Sequence, residues 1–285
     1  MYTTLITAAQ LQSLMDRQSA LRVFDCSFDL MRPTQAAALF EEGHIAGAVH
    51  ADLDRDLSAK PPLPAVNAGR HPLPEPARVA HWLGRMGLAN GMQAVVYDRN
   101  GANYCGRLWW MLKWLGHEAV AVLDGGLQAW RAAGGSMAQG PAPAPAPCLF
   151  RAGTPLRKLH TTAMVHAALH QPGQTLIDAR AAPRFRGEVE PLDPVAGHIP
   201  GALNRPFGEN LTPEGFFKPA TQLRAEFEDL LAGRGADTVV HHCGSGVSAI
   251  PNLLAMEIAG LGTTGLYAGS WSEWCTTPGL PCAKG

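Results

Sequence analysis

The segment VVHHCGSGVSAIPNLLAMEIAGL, from Val239 to Leu261, joins a short β-branched run to an apolar helical pattern through a cysteine and a glycine-rich turn. The run predicts a buried strand. Pro251 falls in the first turn of the predicted helix, where its missing N–H costs little. The segment therefore predicts a strand, loop and helix, with Cys243 at the carboxyl end of the strand.

The chain contains this unit twice. VVYDRNGANYCGRLWWMLKWLG, from Val95, aligns with the segment at Val239, and LDGGLQAW aligns with YAGSWSEW at the same offset. GHIAGAV at Gly43 and GHIPGAL at Gly197 form a third pair. In each half, short strands alternate with helices, which is typical of a mainly parallel sheet flanked by helices. We predict an α/β protein with two tandem copies of one fold.

A proline-rich stretch separates the two copies. GPAPAPAPC, from Gly140 to Cys148, alternates alanine with proline, which favours an extended and semi-rigid linker. We predict a first domain at 1–138, an Ala/Pro linker at 139–147 and a second domain at 148–285.

Composition narrows the classes of partner. Lys+Arg 23 against Asp+Glu 24 gives a net charge of -1, so no chain-wide field favours nucleic acid or an anionic membrane, and we expect neither. No apolar run reaches the roughly 18 residues of a spanning helix, and the first residues lack a signal-peptide pattern. We expect a cytoplasmic protein. The six cysteines lack CxxC spacing, so we expect no metal and no other cofactor.

The turn after Cys243 is suited to hold an anion. Glycines permit a sharp turn, and the unpaired N–H groups of a helix starting near Val247 favour a thiolate. We predict that Cys243 is a nucleophile cradled by Gly244, Ser245, Gly246, Val247, Ser248 and Ala249. A buried structural cysteine is the other interpretation of such a turn. The corresponding residue of the first copy is Arg99, so we predict that the first domain is catalytically inactive.

Two other reaction classes do not fit this loop. A cysteine phosphatase needs an arginine six residues after its cysteine to bind phosphate, and Ala249 stands there. A serine hydrolase elbow needs a glycine two residues before Ser245, where the chain has Cys243.

The doubled unit, GHIPGALN, the loop CGSGVSA and the closing YAGSWSEW together resemble the tandem rhodanese-domain sulfurtransferases, over essentially the whole chain. The resemblance implies an enzyme that takes sulfur onto the loop cysteine as a persulfide. It would then pass the sulfur to thioredoxin, a low-molecular-weight thiol or cyanide. The uncharged CGSGV loop is similar to that of 3-mercaptopyruvate sulfurtransferases, whereas thiosulfate-using rhodaneses typically carry basic loop residues. We therefore expect a small anionic sulfur donor, 3-mercaptopyruvate.

The resemblance also implies roles for individual residues. Arg184, in DARAAPRFRG, matches the arginine that binds the substrate carboxylate. Ser245 matches a loop serine that assists proton transfer, with His71 and Asp54 as its partners from the first half. These three side chains would form a relay.

One position departs from the family pattern. These enzymes usually carry a second carboxylate-binding arginine in a segment like EPRD, but this chain reads EPLD with Leu192. Arg186 and Arg205 are the candidates from the sequence to replace it. The departure leaves a thiosulfate:cyanide sulfurtransferase open as an alternative function. A persulfide carrier module with slow turnover is a separate alternative from a different class.

Overall fold

The computed structural model describes residues 1–285. It contains two compact units. The first comprises Met1–Pro64, Pro74–Leu156 and Pro213–Phe216, and the second comprises Ala65–Leu73, Arg157–Thr212 and Phe217–Gly285. The predicted linker, 139–147, lies inside the first of these units, and the boundaries of independently folding domains stay a prediction.

The first unit is built on a parallel sheet of five strands in the order β1-β6-β5-β2-β4, beside a small antiparallel pair formed by β3 and β7. Its strands are β1 Leu5–Ile6, β2 Leu21–Asp25, β3 His44–Ile45, β4 Val49–His50, β5 Gln93–Tyr97, β6 Val120–Leu123 and β7 Met137–Ala138. Its helices are α1 Ala8–Asp16, α2 Ala36–Glu42, α3 Pro76–Arg85, α4 Cys105–Trp114 and α5 Gly126–Ala132.

The second unit repeats this architecture, with the order β10-β9-β11-β12-β8 in a parallel sheet. Its strands are β8 Lys158–His160, β9 Thr175–Asp178, β10 Leu203–Asn204, β11 Val239–His242 and β12 Gly265–Tyr267. Its helices are α6 Thr162–Ala167, α7 Ala182–Phe185, α8 Ala220–Leu231, α9 Ile250–Ile258 and α10 Ser270–Trp274. The prediction of two tandem α/β copies with parallel sheets is confirmed.

The apolar pattern of the opening segment explains its burial. Every residue of β11 is buried because a central parallel strand is covered on both faces. The strand packs with Tyr267 and Trp271 in one core cluster of the second unit. Full burial of each such aromatic side chain contributes on the order of 2–3 kcal/mol from the apolar area removed from water. This core fixes the end of β11, and with it the position of Cys243.

No helix of the structure combines the length and the apolar character needed to cross a membrane.

Candidate active site

Cys243 directly follows the central strand β11 and is 1% exposed. Its backbone N–H donates to the Oγ of Ser270 over 3.1 Å, and its carbonyl accepts from the N–H of Trp271 over 2.9 Å. The carbonyl of Gly244 accepts from the N–H of Ser272 over 2.9 Å. The start of α10 thus holds the backbone of the nucleophile loop at three points, so the thiol has a defined position at the carboxyl end of the sheet.

The loop after Cys243 leaves backbone donors available. The helix α9 begins at Ile250 rather than near Val247, so the residues from 244 to 249 stay outside the helix. The N–H groups of Val247, Ser248 and Ala249 have no hydrogen-bond partner. Unpaired donors at a helix N-terminus favour an anion, which here would be the sulfur of Cys243.

The corresponding loop of the first unit shows what such donors bind. There the carboxylate of Asp98 accepts from the backbone N–H groups of Asn100, Ala102, Tyr104 and Cys105, over 2.8 to 3.1 Å. In the second unit the residue aligned with Asp98 is His242, so this position supplies no carboxylate to the loop. The loop of the first copy therefore binds a protein carboxylate, and the role of the second loop as a cradle for the Cys243 sulfur stays a prediction.

Arg99, the residue aligned with Cys243, is held in place in the first unit. Its guanidinium donates to the carbonyls of Leu39 and Gly43, each over 2.6 Å, and to the Oγ of Ser27 over 3.0 Å. The first copy thus has an arginine with structural partners where the second has a thiol, and the inactivity of the first domain stays a prediction.

The loop requires glycine at two positions for different reasons. Gly246 has φ +71°, in the left-handed region, and a Cβ there would lie 2.2 Å from the carbonyl oxygen of Ala268. Gly244 has an ordinary φ, but a Cβ there would lie 2.8 Å from Nη2 of Arg70. Gly246 is therefore needed for the turn, and Gly244 is needed for the close approach of an arginine.

We expect Gly246→Ala to destabilise the second unit. The left-handed backbone alone costs an alanine about 1–2 kcal/mol, and the contact with the Ala268 carbonyl adds to this because backbone cannot move aside cheaply. Urea unfolding of both proteins measures the loss. Gly208→Ala is the matched control, because Gly208 has an ordinary φ and open space around its Cβ position. Equal stability of the two variants would contradict the argument.

Ser245 and His71 lie together in the second unit. The Oγ of Ser245 is 2.8 Å from Nδ1 of His71, and both side chains are buried. The segment around His71 is anchored by Gly69, whose φ is +91°, and by the N–H of Arg70, which donates to the Oγ of Ser272 over 3.0 Å. Asp54 belongs to the first unit, where its carboxylate pairs with Lys60 over 2.7 Å. The catalytic roles of the three stay a prediction.

Arg184 lies beside the nucleophile loop, as does Arg70, which the sequence analysis did not single out. A Cβ on Gly244 would lie 3.5 Å from Nη1 of Arg184 and 2.8 Å from Nη2 of Arg70. Arg184 donates through Nη2 to Glu190 over 2.6 Å, and Asp193 pairs with both arginines. The only local signal for Arg70 was its place next to His71 in GRHPLP.

The two arginines proposed from the sequence to replace a residue at Leu192 are engaged elsewhere. Arg186 is exposed and pairs with Glu188 over 2.6 Å. Arg205 is buried, donates to Glu226 over 2.6 Å and stacks on Phe227 with 4.4 Å between guanidinium and ring. Neither guanidinium is available to the loop, so that expectation is wrong.

A buried ion pair lies beside the nucleophile strand. Arg180 donates to both carboxylate oxygens of Asp178 over 2.7 to 3.1 Å, and its guanidinium packs 4.9 Å from the Trp271 ring. Burial by itself would raise the pKa of Asp178, but the adjacent His242 and Arg180 together outweigh it and lower that pKa. His242 is fully buried, and desolvation lowers its pKa. The ionised carboxylate fixes Arg180 against α10, which in turn holds the loop.

These features define a class of enzyme: a thiol nucleophile at the end of a central parallel strand, in an uncharged loop with free N–H donors and adjacent guanidinium groups. The comparison with known proteins agrees. A family model, the Rhodanese-like domain, matches residues 7–133 and 161–277. The chain belongs to the rhodanese family, as a tandem-domain sulfurtransferase.

Three relatives illustrate the range of this similarity. A probable 3-mercaptopyruvate sulfurtransferase of Pseudomonas aeruginosa is 48% identical over 99% of this chain and 98% of its own. SseB of Mycobacterium tuberculosis, a putative thiosulfate sulfurtransferase, is 38% identical over 99% of this chain and 97% of its own. The crystal structure of SseA from Escherichia coli, described with 3-mercaptopyruvate sulfotransferases, superposes with a TM-score of 0.78 at 32% identity, covering 95% of this chain and 100% of SseA.

Proposed function

We propose that the protein transfers sulfur from 3-mercaptopyruvate to a thiol or to cyanide through a persulfide on Cys243. The observation that carries the proposal is the position of Arg184, whose Nη1 has no protein acceptor and lies 3.5 Å from the Cβ position of Gly244. A guanidinium next to the nucleophile is suited to a substrate carboxylate. The relative with 48% identity, a probable 3-mercaptopyruvate sulfurtransferase, supports the same donor.

The first half-reaction moves the sulfur atom onto the enzyme. The Cys243 thiolate attacks the substrate sulfur, the C–S bond breaks, and the bonding electrons leave with the carbon as the enolate of pyruvate. A proton from solvent or from the Ser245 hydroxyl converts the enolate to pyruvate. His71, 2.8 Å from Ser245 Oγ, is placed to restore the serine proton, with Asp54 as the third member of the proposed relay.

The second half-reaction releases the sulfur. The thiolate of an acceptor attacks the outer sulfur of the persulfide, the S–S bond breaks, and Cys243 leaves as a thiolate. The unpaired N–H groups of Val247, Ser248 and Ala249 stabilise the anionic sulfur at both stages. Thioredoxin, a low-molecular-weight thiol and cyanide are the proposed acceptors. We also propose a cytoplasmic location, since none of the six cysteines forms a disulfide and a reducing compartment keeps thiols free.

Thiosulfate is the second candidate donor. The relative with 38% identity is named a putative thiosulfate sulfurtransferase, and Leu192 places no arginine in the EPLD segment. A dianion, however, would meet a loop from Gly244 to Ala249 that carries no charge. A persulfide carrier with slow turnover is the third candidate. These three functions share Cys243 and differ in donor preference and in turnover.

The test compares initial rates with 3-mercaptopyruvate and with thiosulfate on the native protein and on Arg184→Met. We expect a preference for 3-mercaptopyruvate. Loss of the Arg184 contact should lower kcat/KM for that donor by about ten- to a hundredfold, the effect of one charge-assisted hydrogen bond. A preference for thiosulfate would instead support the second candidate. Intact-mass analysis that shows a stable added sulfur, with negligible product on adding a thiol, would support the carrier.

A further inference from the structure

Two guanidinium groups converge on the nucleophile loop, and only Arg184 had been expected there. Nη2 of Arg70 lies 2.8 Å, and Nη1 of Arg184 3.5 Å, from the position that a Cβ of Gly244 would take. Gly244 directly follows Cys243 in the chain, so both guanidinium groups lie at the residue next to the nucleophile. A glycine at this place lets both approach the backbone.

Two acidic side chains accept hydrogen bonds from Nη1 of Arg70 and from Nη2 and Nε of Arg184. Nη1 of Arg70 donates to Oδ1 of Asp193 over 2.5 Å, while Oδ2 of Asp193 accepts from Nη2 of Arg184 over 3.2 Å. Glu190 binds Nη2 and Nε of Arg184 over 2.6 and 3.3 Å. One carboxylate therefore bridges the two arginines, which keeps both rotamers fixed before a ligand arrives.

This tethering leaves one terminal nitrogen of each arginine without a protein acceptor. Nη2 of Arg70 and Nη1 of Arg184 make no hydrogen bond, and both lie at Gly244. Each side chain is about one fifth exposed, 21% for Arg70 and 18% for Arg184, so a small ligand has access to them. Both nitrogens are therefore available to donate to a ligand at Gly244.

The charges around the arginines restrict the ligand further. Asp193 and Glu190 carry two negative charges that offset the two guanidinium groups, so the pair offers directional donors with little net positive charge. A carboxylate monoanion can accept hydrogen bonds from both nitrogens, whereas binding of a compact dianion depends more on the net positive charge of the site. Two directional donors with little net charge therefore favour the carboxylate.

We propose that Arg70 and Arg184 form a two-arginine clamp for the carboxylate of the sulfur donor, with Asp193 as its positioning residue. The clamp gives the donor a second guanidinium, which Leu192 cannot supply. The proposal deepens the proposed function and rests on it for the identity of the donor. Carboxylate recognition beside Cys243 is nevertheless measurable without any sulfur transfer.

The experiment compares alkylation of Cys243 by iodoacetate, which carries a carboxylate, with alkylation by the neutral iodoacetamide. Rate constants are obtained from the mass spectrum of the peptide that contains Cys243, in the native protein, Arg70→Met and Arg70→Lys. The control is Arg186→Met, which removes an exposed arginine paired only with Glu188. We expect Arg70→Met to lower the iodoacetate-to-iodoacetamide ratio by about tenfold or more, with the iodoacetamide rate within about twofold of native.

Two further outcomes complete the test. Arg70→Lys should give an intermediate ratio, because lysine keeps the positive charge but lacks the planar set of guanidinium donors. Arg186→Met should leave the ratio unchanged. An unchanged ratio in Arg70→Met, or an equal fall of both rates, would overturn the clamp. If 3-mercaptopyruvate proves a poor donor while the ratio still falls in Arg70→Met, the proposed function fails and the clamp stands.

Discussion

Cys243→Ser should lower the rate of sulfur transfer by about a thousandfold or more, while the protein keeps its fold. A serine hydroxyl is a poor nucleophile at neutral pH, and its oxygen cannot form the S–S bond of a persulfide. Cys243 is buried against α10, and serine is smaller than cysteine, so the substitution fits the site. Pyruvate formation from 3-mercaptopyruvate measures the rate, and intact mass shows whether sulfur is retained.

The other cysteines of the second unit provide the control. Burial raises the pKa of Cys275 to about 11, and it also raises the pKa of Cys282, so both stay protonated thiols at neutral pH. Cys282→Ser, at an exposed position, should therefore retain native activity. Turnover by Cys243→Ser at a rate close to native would contradict a persulfide on Cys243.

The parts of the fold and site that the sequence predicted depend on local patterns. The strand β11 and the helix α9 are short apolar runs whose periodicity is visible in one segment, and the repeat reveals their counterparts β5 and α4. The position of Cys243 follows from the end of β11 alone. Such local patterns do not depend on distant contacts, which is why the strand, loop and helix around Cys243 could be predicted from the sequence.

The start of α9 could not be predicted as well. The sequence favoured a helix from near Val247, but the helix begins at Ile250. Gly246 has a left-handed backbone conformation and packs closely against the backbone of Ala268. This tertiary contact keeps the residues between Gly246 and the helix in a loop. The N–H groups from Val247 to Ala249 are unpaired in this loop, as they would also be in the first turn of a helix that began at Val247.

Arg70 was missed because its placement depends on distant residues. Its N–H binds Ser272 and its guanidinium binds Asp193, and neither partner is near it in the chain. Gly69, at φ +91°, brings the segment close to Ser272 and Gly269. The resemblance to the tandem rhodanese-domain sulfurtransferases implied Arg184, through the segment DARAAPRFRG, but gave no reason to pair it with a residue from the other half.

Asp178→Asn should destabilise the second unit by about 3–5 kcal/mol, the cost of leaving a buried charge without its partner. Asp178 is 0% exposed and Arg180 3%, and three hydrogen bonds join their side chains. Asparagine has nearly the same shape as aspartate but carries no negative charge to balance the positive charge of Arg180. Glu190, 3.3 Å from Nη1 of Arg180, replaces that negative charge only in part. Urea unfolding measures the difference. Glu188→Gln, which breaks an exposed pair, should change stability little.

The same ion pair makes stability depend on acid pH. The pKa of Asp178 is lowered in the folded protein, although burial alone would raise it, whereas an unfolded aspartate titrates near about 3.9. Its contribution is therefore complete above about pH 4 and is lost as the pH falls through the folded pKa, because the unfolded chain binds the proton first. We expect native stability to fall more steeply than that of Asp178→Asn below about pH 4. Parallel curves for the two proteins would show that Asp178 is not held ionised by His242 and Arg180, and the support of the nucleophile loop through Trp271 would then need another explanation.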